Sequence, residues 1–70
     1  MLLRVMTYNI LDGGENREAD ILDVVQTAKP DVVILQEVFT EGFLKFLSRS
    51  LEMNYYIGAG NQKRKTALLT

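Results

Sequence analysis

Histidine and cysteine are both absent from the 70 residues, and proline occurs once. Without cysteine there is no disulfide framework and no thiolate zinc site. Without histidine the chain lacks the commonest general base near neutral pH and the commonest transition-metal ligand. An excess of one charge is missing too. Nine acidic residues against eight basic ones give a net charge of -1, so overall charge makes no case for nucleic-acid or membrane affinity. No apolar run approaches the roughly 18 residues of a membrane span. Arg4 interrupts the N-terminal apolar run, and no long h-region or small-residue cleavage site follows, so a signal peptide is not expected. A cysteine-free chain fits a reducing, cytoplasmic setting.

What remains is the composition of a globular core, 47% hydrophobic and 24% charged. The length leaves no room for two domains, and a domain this small buries only about 60% of the surface its unfolded chain exposes. "TALLT", residues 66 to 70, is a β-leaning apolar run that stops without a turn or a polar tail. Residues 1–70 therefore read as a single partial domain, with an unpaired strand edge at "TALLT".

Leu2 to Asn9 reads as a first strand whose near-continuous apolarity predicts burial on both faces. "LDGGEN" supplies a flexible connection. From Glu15 to Ala28, residues Ile21, Leu22, Val24, Val25 and Ala28 recur at helical spacing, and Pro30 stops that helix at Lys29. Asp31 to Gln36 is a second strand. Thr40 is placed to cap a second helix, whose apolar face is Phe43, Leu44, Phe46, Leu47 and Leu51. "NYYIG", residues 54 to 58, is a third strand, and "TALLT" begins a fourth. The order β-α-β-α-β-β implies an α/β or α+β layered domain with a parallel pair of strands joined by a crossover.

If the first two strands are parallel, their carboxyl ends share one edge of the sheet, where ligands of open α/β sheets bind. Asn9 and Glu37 are the polar groups at those ends, with Gln36 beside them. One carboxylate and one amide oxygen suit a hard cation such as Mg²⁺, which keeps several waters and needs few protein ligands. Equally, core strands often end on Asn or Glu where they reach water.

Other motifs are weaker. "DGGEN" lies where a glycine-rich loop can cradle phosphate, but it lacks the spaced glycines and lysine of known cradles, and Asp12 and Glu15 would repel an anion. "KRK", residues 63 to 65, reads as a solvated hairpin tip. Tyr55 and Tyr56 point to opposite faces of a strand, so at least one is core.

Taken together, "LRVMTYNI" and "KPDVVILQEV" resemble the opening of the endonuclease/exonuclease/phosphatase superfamily, the deoxyribonuclease I-like fold. The likeness covers residues 3 to 38 well. It implies the N-terminal portion of a four-layered α/β sandwich, with Glu37 as a ligand of the catalytic Mg²⁺ (or Mn²⁺) and Asn9 holding the metal or the scissile phosphate. Gln36 then supports the site. It also implies phosphoester substrates: nucleic acid, inositol phosphate or a phospholipid headgroup. Some members carry Asp two residues after the asparagine, where this chain has Leu11. The family's histidines and its Asp-x-Asn motif have no counterpart here, so these 70 residues alone are expected to be inactive. The alternative is a non-catalytic α/β assembly module; a partial domain of either kind is expected to associate with itself.

Overall fold

The computed structural model describes residues 2–60 and 64–70, and the side chains of all of these except residues 12, 59 and 60. The elements run β1 (Val5–Asn9), a 3-10 turn (Asp12–Gly14), α1 (Glu18–Ala28), β2 (Val32–Val38), α2 (Glu41–Leu51), β3 (Tyr55–Gly60) and β4 (Lys65–Leu69). Among the described residues the strands form one mixed sheet in the order β1-β2-β4-β3. β1 and β2 are parallel and joined through α1, while β4 runs antiparallel to both of its neighbours.

The helices start and stop for local reasons. The Thr40 hydroxyl accepts the Phe43 N–H at 3.3 Å, capping α2 as its position predicts. α1 ends at Lys29, which takes a left-handed conformation (φ 49°) and returns its N–H to the Val25 carbonyl at 3.1 Å. α1 begins at Glu18 rather than Glu15, because the double glycine bends the preceding segment into a tight turn.

Both helices lie over one face of the sheet. Ile21 and Val25 of α1 and Phe43, Leu44 and Leu47 of α2 are buried against Val33, Leu35, Val38, Ala67 and Leu69. Val24, Ala28 and Phe46, counted above on apolar helix faces, instead reach solvent. The other face of the sheet has no cover among the described residues. Thr7, Ile34, Leu68 and Tyr56 are register partners in one row across all four strands of that face, and Val5 (55% exposed) and Tyr56 (58%) stand open.

Two expectations therefore change. β1 is not buried on both faces: it alternates, with Met6 and Tyr8 packed toward the helices and Val5, Thr7 and Asn9 exposed. "TALLT" is not an unpaired edge either. β4 lies between β2 and β3, so both sides of its backbone are paired, and the free edges belong to β1 and β3. Of the basic run, Lys63 lies outside the described residues; Lys65 is a paired strand residue opposite Val38 and Gly60.

Candidate functional site at the carboxyl ends of the parallel strands

The pairing of β1 with β2 runs in register from Val5 opposite Val32 to Asn9 opposite Gln36. Its lower end is stitched by Asp31, whose carboxylate accepts the Arg4 N–H at 2.8 Å while Asp31 N–H returns to the Arg4 carbonyl at 2.8 Å. Its upper end closes with the Ile10 N–H on the Gln36 carbonyl at 3.1 Å. Asn9 and Gln36 thus sit side by side, on the uncovered face, at the carboxyl ends of both strands.

Beyond Asn9 the chain turns sharply. The Asn9 Oδ1 accepts the Leu11 N–H at 3.0 Å, and Leu11 adopts φ 55°. That bond leaves the amide oxygen a second lone pair. The Arg17 Nη2 donates to the carbonyls of Ile10 and Leu11, pinning the turn from the far side. Leu11 is exposed, and no side-chain carboxylate stands at that position.

Glu37 is placed by a bulge. Leu35 pairs with Ala67 and Val38 with Lys65, so Gln36 and Glu37 together face the single residue Thr66. The extra residue breaks the strand's alternation: Val38, not Glu37, takes the buried position, and Glu37 adopts φ 64°. Bulges of this kind re-aim side chains near functional sites. A positive φ in a non-glycine residue is strain that the surrounding structure must hold. A second bulge, with Gly58 and Ala59 facing the same Thr66, lies across β4. Gly58 suits that close approach, since a Cβ there would come within 3.3 Å of the Thr66 carbonyl oxygen.

The Glu37 side chain is 23% exposed, and its Oε1 accepts the Arg64 Nε–H at 3.2 Å. The Arg64 guanidinium lies over the Phe39 ring, 5.8 Å from its centroid. Phe39 in turn packs on Gly13: a Cβ there (φ 72°) would come within 2.6 Å of its ring. Gly13 of "DGGEN" is therefore a fitted seat for the Phe39 ring.

Arg64, Phe39 and Arg17 are the contributors that sequence reasoning missed. Arg64 reaches Glu37 across 27 positions, and only the antiparallel pairing of β4 with β2 brings them together. Among the described residues no three of His, Cys, Asp and Glu cluster as a metal cage. One carboxylate and one amide oxygen at these strand ends are hard donors of the kind that Mg²⁺ or Mn²⁺ takes while keeping most of its waters.

The same architecture occurs in solved proteins. The crystal structure of a humanized D. rerio TDP2 carrying 14 mutations superposes with a TM-score of 0.74 at 22% identity, over 96% of this chain and 29% of that one. Truncated Caenorhabditis elegans TDP2 superposes with a TM-score of 0.72 at 27% identity, over 96% of this chain and 28% of that one. The architecture matches part of the deoxyribonuclease I-like fold of TDP2. Within this fold, β-α-β-α-β-β accounts for less than a third of either solved chain. No protein-family model matches the sequence, and no curated protein does.

Proposed function

We propose that this chain supplies the first metal-binding carboxylate of a Mg²⁺-dependent phosphoester hydrolase of the deoxyribonuclease I-like type. Glu37 is the metal ligand, Asn9 holds the metal or the scissile phosphate, and Gln36 supports them. The observation that carries the reading is the register of β1 with β2, which puts Asn9 beside the bulge bearing Glu37. The likeness to the TDP2 phosphodiesterase agrees with it, as does a donor set suited to Mg²⁺ or Mn²⁺. Bound there, the metal would stabilise charge on the phosphate while an activated water attacks. Glu37 would bind through its carboxylate, and the Asn9 carbonyl oxygen, already oriented by the Leu11 N–H, would face the same edge. The phosphoester class extends to nucleic acid, inositol phosphate and phospholipid headgroups, and the setting is cytoplasmic.

Residues 1–70 hold no histidine to act as general base, so the proposal makes them one portion of the active domain and inactive by themselves. The test uses both forms. In a complete domain built around this chain, Glu37→Gln should remove most Mg²⁺-dependent hydrolysis while leaving the fold intact, since it keeps shape and removes charge. In the 70-residue chain, turnover should not rise above that of the Glu37→Gln control. Near-normal hydrolysis by a folded Glu37→Gln domain would overturn the assignment.

The second reading, a non-catalytic assembly module, draws on a different observation: the uncovered apolar row of Ile34, Leu68 and Tyr56. It predicts self-association that is indifferent to Glu37.

A further inference from the structure

We propose that Arg64 is a counter-ion of Glu37: a positioning residue whose charge competes with a divalent cation for the carboxylate. This rests on the metal-ligand reading of Glu37 given above.

Three separate pieces of chain converge to keep Arg64 where it is. The bulge opposite Thr66 presents Glu37 toward the start of β4, where Arg64 lies. Phe39 supports the guanidinium from beneath, and Gly13 supports Phe39. The bond at 3.2 Å engages Oε1 through Nε, on a carboxylate that is mostly shielded from water. A shielded carboxylate without a countercharge is costly, so the pair offsets that cost and fixes the side chain in one direction. Mg²⁺ takes a carboxylate oxygen at about 2.0–2.1 Å. Two positive groups on one carboxylate repel each other, so binding of the cation and the hold of Arg64 on Glu37 are linked events. By this linkage Arg64 orients Glu37 in the metal-free protein and raises the cation concentration needed to fill the site. Neither effect requires Arg64 to touch a substrate.

The test uses the full 70-residue chain and Mn²⁺, with Mg²⁺ as the diamagnetic partner. Mn²⁺ should broaden the backbone amide signals of Asn9 and Glu37 selectively, and Glu37→Gln should abolish that effect. Arg64→Gln and Arg64→Met, both at a half-exposed position, should lower the Mn²⁺ concentration for half-broadening by about two- to fivefold, the range set by a partly exposed ion pair. Arg64→Lys, which restores the charge, should return it toward the wild-type value. In wild type, the Arg64 Nε–H resonance should move with Mg²⁺ in step with the Glu37 amide. Broadening that Glu37→Gln removes but neither Arg64 variant strengthens would overturn the counter-ion role and leave the metal ligand standing. If Arg64→Lys behaves like Arg64→Gln, charge is not the agent and the proposal also falls. An absence of localised broadening in every form would sink the metal reading and this inference with it.

Discussion

Tyr55 offers a residue-scale check that is independent of the site. Its hydroxyl donates to the Glu41 carboxylate at the start of α2, tying β3 to that helix. The hydrogen bond to Glu41, aided by desolvation and by the nearby negative charge, raises the Tyr55 pKa above the ordinary 10.0. The protonated phenol is the form the fold favours. The contribution is therefore complete below pH 10 and disappears as pH climbs through the raised folded value. Ultraviolet difference titration should show one tyrosine ionising late, and Glu41→Gln should bring that step down. At the same scale, Asn9, Gln36 and Glu37 were legible as candidates because each ends an apolar run. The left-handed backbone of Glu37 was not, because strict alternation is the only rule a single strand offers and the bulge that breaks it belongs to the pairing with β4. Arg64 was illegible for the same reason.

At the scale of elements, backbone sign decides which substitutions help. Glu52 ends α2 with φ 55°, and the Met53 N–H returns to the Ser48 carbonyl at 2.9 Å, the geometry that usually employs glycine. Gly13 also has a positive φ, but there the space for a side chain is filled by Phe39. Glu52→Gly should thus raise stability by about 1 kcal/mol, relieving the left-handed cost. Gly13→Ala should lower it by more than about 1 kcal/mol, because strain and collision add. Urea denaturation measures both, and a Gly13→Ala protein as stable as wild type would mean that Phe39 moves aside freely. The elements themselves were readable: both helices from spacing and Pro30, and the α2 cap from Thr40. Strand ends shifted by a few residues where pairing, rather than apolarity, sets the limit. β1 was overread as doubly buried because Leu2 and Leu3 extend an apolar run that the sheet does not use.

The whole molecule is a sheet with helices on one side. Sequence alone could not say which side each strand residue faces. Val33 and Leu35 turn out to be buried beneath the helices, whereas Val5, Ile34 and Leu68 belong to the uncovered face. Each ~100 Å² of apolar surface left in water forgoes about 2.5 kcal/mol, a large share of the stability of a small domain. The 70-residue chain should therefore associate through this face, with a two-fold dimer as the simplest closed arrangement. Sedimentation equilibrium at micromolar concentration should give a mass above that of one chain, and Leu68→Lys should return it toward the monomer. A cooperative monomer that Leu68→Lys leaves unchanged would show that the face tolerates water.

The place of β4 has a further consequence, in the order of events as the chain folds. β1, α1 and β2 are neighbours both in sequence and in space, so they can come together early. β3 has no strand to pair with until β4 arrives, and Lys65 must find Val38 across the whole of α2 and of β3. Closing loops of that length is slow compared with forming helices. During synthesis the helices would already be wound while the sheet remained in two parts, waiting for residues 65 to 69. Glu37 is caught in that delay. Its bulge exists only against Thr66, so the carboxylate takes up its final direction only once β4 has docked.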